Sequence, residues 1–393
     1  MKIYKNSLYD EFKCLAGECP STCCYGWRIL IDEDTVGKIN NLDGLKGFLL
    51  KKSLAGPDKN FFNYNCGSCL FHDFHGLCSI QKKLGEDYMP LICRTYPREI
   101  RNYEKFAVFN LDLSCIKVSK MLLEKDERPK YIETNGECNK KISSSNDDSQ
   151  FANIIMDMQK DFRIFLSIKA DKMTDIKSLD DKLHVLLSYL KFSQEVCLEH
   201  REMLLTGEKN NIKAFEDEFN KNTNSIKISD IRISFDKDMS LFPLPIMALN
   251  KLINTNIDRE DTRNNAIINK TIEWYHRKFD AKSEIEGQKL WLQMVDEFFR
   301  EDPFRMEALI RYLLYDIMQC YVQIYENYSF IHYGILSIMH VNMVMFLWIN
   351  YARKKKLTTY AMAMLLTAYE KGVCHNVGLE KEMYEITCDY INI

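Results

Sequence analysis

The sequence predicts a mainly α protein, with a cysteine-rich metal-binding N-terminal domain followed by an all-α helical domain. Three observations carry that prediction. Nine of the 14 cysteines fall between positions 14 and 115. Glycine and proline recur through the same stretch, which reads as short helices and turns around something other than a large apolar core. Beyond position 150 apolar residues return every three or four positions, with few strand signals. The expected boundaries are 1–134 for the cysteine-rich domain, 135–150 for a linker or exposed loop, and 151–393 for the helical domain. At 393 residues the chain is long enough for two such bodies.

Composition narrows the class of function. Hydrophobic residues make up 46% and charged residues 28%, the balance of an ordinary globular protein. The net charge of −3 provides no basic footprint for nucleic acid. "MKIYKNSLYDEFKC" lacks the apolar run of a signal peptide, so the expected compartment is the cytoplasm, where structural disulfides are rare. "FIHYGILSIMHVNMVMFLWIN" (330–350), followed by "ARKKK", is long enough to cross a bilayer. It contains His332, His340 and Asn342, each costly in hydrocarbon, and the balance favours a buried core helix over a membrane span.

Element by element, "NGECNKKISSSNDDSQ" (135–150) has linker composition. An apolar-periodic run begins at Phe151. Ser178 and Asp181 form a capping pattern ahead of Leu183, Leu186 and Leu190. Asp302 as N-cap, with Pro303 next, opens a helix carrying Met306, Ile310, Leu313 and Ile317 on one face. No internal repeat is present.

The cysteine spacings are Cys14, Cys19-x3-Cys23-Cys24, Cys66-x2-Cys69-x8-Cys78, Cys93 and Cys115. Vicinal Cys23 and Cys24 are poorly placed to pair with each other, because disulfide geometry is hard to meet across one peptide bond. "CGSC" (66–69) favours a tight turn that brings two sulfurs together, as a soft metal requires. Clustered thiols in a reducing compartment are best explained as ligands, either for zinc or for an iron–sulfur centre, and the count does not separate the two. His72 and His75 flank the ladder and could replace a thiolate on zinc. Of the vicinal pair, Cys23 is the expected ligand. No phosphate-binding loop, dinucleotide fingerprint or H-E-x-x-H motif occurs.

"FKCLAGECPSTCCYGWRILID" (12–32), "CLFHDFHGLCSIQKKLGEDYMPLICRTYPR" (69–98) and "LDLSC" (111–115) together resemble the flagellin lysine N-methylase family. The same ladder, less completely, resembles a broader group of iron- or zinc-chelating cysteine-cluster proteins. "CHNVG" (374–378) fits the family's late His-Asn position, which extends the likeness over most of the chain. Cys66 lies outside the family pattern, and Ile116 stands where the family has proline after the last cysteine. The resemblance implies methyl transfer from S-adenosyl-L-methionine to lysine side chains of flagellin or a similar protein. It also implies a [4Fe-4S] cluster, with zinc as the alternative, held by Cys14, Cys19, Cys23, Cys24, Cys69, Cys78, Cys93 and Cys115.

N-methylation needs a neutral amine in line with the methyl–sulfonium bond. Trp27 and Tyr25 are candidates to stack on the methyl donor, and Arg98 to pair with its carboxylate. Tyr96, Asp32 and His375 are the catalytic candidates. Core packing for the aromatics, a helix N-cap for Asp32 and a hydrogen-bonded structural histidine are the commoner uses of such residues. The alternative reading is a noncatalytic metal-binding protein whose helical domain docks a partner. A redox carrier is a third reading, weakened by the lack of a second electron-transfer cofactor site.

Overall fold

In a computed structural model, residues 1–137 are described apart from 27–28, 57, 59, 66 and 103–105; so are 262–375 apart from 328–329, and 381–385. Most of the expected linker, the run from Phe151 and the helix expected after Ser178 lie outside the described residues. Strand β1 (Lys2–Asn6) is followed by helices α1 (Glu33–Asn40) and α2 (Gly44–Lys52). Two short antiparallel ladders come next, β2 (Leu54–Ala55) with β3 (Phe61–Phe62) and β4 (Tyr64–Asn65) with β5 (Ser68–Cys69). Helices α3 (Ser79–Leu84) and α4 (Leu91–Thr95) lead into β6 (Arg98–Asn102), β7 (Phe106–Leu111), α5 (Ile116–Glu124) and β8 (Tyr131–Asn135). The second region contains α6 (Thr262–Phe279), α7 (Glu284–Glu301), α8 (Phe304–Asn327), α9 (Phe330–Ala352) and α10 (Thr359–Tyr369), which runs into a π turn, Glu370–Cys374.

The N-terminal region corrects the mainly α expectation to a mixed one. Strands β6, β7, β1 and β8 form a sheet in the order β6-β7-β1-β8, with β1 parallel to β7 and the other pairs antiparallel. Ile3 lies opposite Ala107 on one side and Thr134 on the other, so the two ends of the first 135 residues meet on one strand. Strand β7, "FAVFNL", is buried along nearly its whole length, and such a short unbroken apolar run does not declare its period.

Two apolar cores result. The larger joins Tyr4, Leu8, Phe12, Phe106, Val108 and Leu111 of the sheet region to Tyr312, Tyr315, Phe346, Trp348 and other residues of the helices. A single core therefore spans the sheet and the C-terminal helices. The smaller comprises Ile29, Ile31, Ile39, Leu50, Phe62, Cys69, Ile80 and Met89, and lies among the short elements of 29–93.

Among the described residues, helix starts are marked by caps, and α8 begins where Asp302 and Pro303 place it. Ser283 and Glu286 make a reciprocal capping box at the start of α7. The Asp302 carboxylate accepts the Phe304 N–H at 3.1 Å and opens α8. Helix α9 alone among the described residues is long and apolar enough to cross a membrane, and 88% of its apolar window is buried inside the protein. Both polar residues at its centre find partners there: the Asn342 amide donates to the Ile338 carbonyl at 3.0 Å, and His340 Nδ1 lies 3.2 Å from Asp316.

Arginines weld the sheet region to the helices. Arg311 on α8 donates to the Leu123 carbonyl at 2.9 Å, at the end of α5, where a cation complements the helix dipole. Its neighbour Glu307 accepts from Arg311 at 3.2 Å and from Arg128 at 2.9 Å. Burial pushes the Glu307 carboxyl up, but the hydrogen bonds and charges of Arg128 and Arg311 outweigh it and leave the group below its ordinary value. Glu307→Gln should cost about 1–2 kcal/mol at neutral pH, a discounted figure for a partly exposed pair. Because the folded-state pKa is depressed, this stability is present above the ordinary carboxylate range and is lost as pH falls through the folded value. Denaturant curves of parent and variant should separate at pH 7 and converge near about pH 3.

Candidate functional site

The smaller core is bordered by thiols. Cys69 is part of it, and Cys24, Cys78 and Cys93 pack against it. Local hydrogen bonding explains the convergence. The Cys69 N–H donates to the Cys24 carbonyl at 2.8 Å and Gly26 N–H to the Gly67 carbonyl at 3.0 Å, which zips 24–26 onto 67–69. Gly26, with φ of 98°, adopts the left-handed conformation that this reversal needs. The Asp73 carboxylate accepts from the His75 and Leu77 backbone at 2.9 and 3.0 Å, folding a turn that returns Cys78 to pair with His72. Cys93 lies on α4, whose first residue Leu91 donates its N–H to Asp32 at 2.6 Å.

A second group lies beside the first. The Ala16 N–H donates to Cys14 Sγ at 3.3 Å, and Cys19 Sγ donates to the Ser21 carbonyl at 3.3 Å. This loop presses on the turn before Cys78, since a Cβ at Gly17 would stand 2.7 Å from the His75 carbonyl. Cys115 opens α5 at the edge of the larger core. Charge on Cys14 and Cys19 is felt at Cys115, whereas Cys69 and Cys93 feel Cys24 and Cys78. Cys24, Cys69, Cys78 and Cys93 thus border the smaller core, Cys14, Cys19 and Cys115 make up the neighbouring group, and Cys23 adjoins Cys24.

None of these eight is in a disulfide. Burial pushes the thiol of Cys69 up to about 12 and that of Cys115 up to about 11, and raises Cys93, Cys78 and Cys19. The vicinal pair behaves differently. The Cys23 thiol donates to Cys24, which brings Cys24 down to about 7 and holds the proton on Cys23. The donors match a soft metal in type, and the His72 Nε2 is buried beside them without a hydrogen-bond partner. Among the described residues, however, no three His, Cys, Asp or Glu side chains are arranged to hold an ion. The fit is one of chemistry and neighbourhood, not of coordination geometry.

Two catalytic candidates far apart in sequence meet in one network. The Tyr96 hydroxyl lies 2.9 Å from Ser114 Oγ, which donates to Asp112 at 2.6 Å; the other oxygen of Asp112 lies 3.1 Å from His375 Nε2. Burial raises Asp112, yet the hydrogen bond and charge of His375, helped by Ser114, keep it below the ordinary carboxylate value. Burial also raises Tyr96 well above the usual phenol, so its proton is held. His375 is 41% exposed at the side chain, so the chain ends at solvent. Asp112 and Ser114 escaped the sequence reading, although "LDLSC" signalled them: the Asp112 carboxylate accepts the Ser114 N–H at 2.8 Å in a local turn.

The remaining candidates are placed otherwise. Asp32 caps α1 through Thr35 N–H at 3.0 Å and also holds Leu91, so its carboxylate is committed to structure. Arg98 donates to the Phe12 carbonyl at 3.0 Å and stacks over the Tyr9 and Phe12 rings, a position that fastens the sheet edge to the N-terminal segment. Tyr25 pairs through its backbone with Ser68 beside the thiols. Trp27 lies outside the described residues.

Part of the chain has known sequence relatives. Over 129 residues, 31% of its length, the chain is 29% identical in sequence to the flagellar biosynthetic protein FliU of Salmonella muenchen, covering 76% of that protein. The same identity over the same length is found with the lysine-N-methylases of Salmonella typhimurium strain LT2 and Salmonella choleraesuis strain SC-B67, where the match spans 32% of each. The similarity is thus distant and partial, and it covers about a third of either methylase. No protein-family profile and no solved structure matches the chain.

Asp112 is the keystone of the polar network, and its removal is the informative change. Asp112→Ala leaves Ser114 and His375 without their acceptor and should cost about 2–4 kcal/mol. Asp112→Asn keeps an acceptor for Ser114 and should cost about half as much, measured by denaturant unfolding.

Proposed function

We propose that the protein transfers methyl groups from S-adenosyl-L-methionine to lysine side chains of a protein such as flagellin. In this reading it works in the cytoplasm, and its N-terminal thiols hold a [4Fe-4S] cluster or, alternatively, zinc. The observation that carries the reading is the partial similarity to lysine-N-methylases. The cysteine neighbourhood and the polar network beside it supply compatible chemistry.

The methyl donor provides an electrophilic carbon on a sulfonium. The chain must then position a lysine and relieve it of a proton, because an ammonium has no lone pair to attack with. His375, oriented by Asp112 and reaching solvent, is the group suited to take that proton. Ser114 and Tyr96 fix Asp112 from the buried side. The thiols stand close enough to shape this junction, since Cys115 directly follows Ser114 and its N–H donates to the Asp112 carbonyl at 3.2 Å.

The test is transfer of labelled methyl from S-adenosyl-L-methionine to purified flagellin, using protein prepared without oxygen. Label on lysine is expected, and His375→Ala, though less stable because Asp112 loses its partner, should still fold and lower the rate about 100-fold or more. Protein that carries its metal but labels no lysine on any flagellin tested would refute the reading.

A further inference from the structure

The π turn that ends α10 sends neighbouring residues to different places. Its widened spacing is visible in the bond from the His375 N–H to the Glu370 carbonyl, five residues back. Glu370 turns into the helical core, where the Tyr312 hydroxyl donates to it at 2.8 Å. Lys371, only 8% exposed, turns the other way. Its ammonium donates to the Thr22 carbonyl at 3.2 Å and to Ser21 Oγ at 3.4 Å, both inside the loop between Cys19 and Cys24.

Both grip points control thiols. Ser21 accepts from Cys19 Sγ through its carbonyl, and Thr22 Oγ1 accepts the Cys24 N–H at 3.2 Å. We propose that Lys371 is a positioning residue that clamps the Cys19–Cys24 loop onto the helical region and supplies positive charge to the thiolates of that loop. The proposal rests on the reading that these thiols act as ligands. A buried ammonium is costly unless its donors are met and negative charge is near; the Thr22 carbonyl and Ser21 Oγ meet two of the donors, and the thiolates of the loop, once they ligate a metal, would supply the charge. A metal bound by four thiolates carries net negative charge, so the ammonium favours the loaded state as well.

The experiment titrates metal-free, reduced protein with Co²⁺ without oxygen and follows the thiolate-to-cobalt charge-transfer band. Amide hydrogen exchange over 19–26 is measured in parallel. Lys371→Met should weaken cobalt binding about tenfold and speed exchange over 19–26 about tenfold, with α8 and α9 unchanged. Lys371→Arg should restore both to within about threefold, since it keeps the charge and the donors. A Met variant that matches the parent in both measurements overturns the proposal, as does an Arg variant as defective as the Met variant. A parent without any charge-transfer band refutes the ligand reading instead, and exchange over 19–26 then decides the clamp alone.

Discussion

The carbonyl of Leu111 is the point on which the arrangement depends. It ends β7, and two side chains of α8 hold it: the Tyr315 hydroxyl at 2.6 Å and the Gln319 amide at 3.0 Å. A buried carbonyl at a strand end would otherwise lack a partner, and Tyr315 is itself fully buried, so neither group has an alternative in water. Everything after Leu111 is positioned by this grip: Asp112, Ser114, Cys115 and then α5. The thiol ladder and the polar network therefore share one reference frame, set by a helix more than 190 residues later in the chain.

Cohesion is divided unequally. The larger core is built from aromatic and aliphatic side chains of the sheet and helices, with dense ring contacts such as Trp291 stacked on Phe346 at 4.2 Å. The smaller core has few large side chains and is surrounded by turns, short ladders and thiols. Such a body gains little from burial alone, which is the usual circumstance in which bound metal contributes to folding.

Much of this was legible in the sequence, for identifiable reasons. Cysteine spacing survives folding as proximity because short loops limit how far Cys69, Cys78 and Cys93 can separate. The start of α8 and the burial of α9 follow from a cap and from apolar length. The sheet was not legible: β1 and β7 pair across about 100 residues, and nothing local in "KIYKN" or "FAVFNL" specifies that register. Tyr96 and His375 were visible as chemistry, but their link through Asp112 and Ser114 is a tertiary fact. Lys371 was visible only as a charge after the apolar run "YAMAMLLTAY", and its loop partner lies about 350 residues away.

The near-complete burial of α9 also bears on how the chain is made. A nascent segment this apolar is at its most vulnerable just after it leaves the ribosome, when exposed hydrophobic surface invites aggregation or capture by a membrane. The order of elements guards against this. α6, α7 and α8, all of which pack on α9, are synthesised before it, while α10 and the helical turn at 381–385, whose Tyr384 ring lies 3.9 Å from that of His332, come afterwards. Three of the helices that cover this apolar segment are thus already made when it emerges and are at hand to bury it.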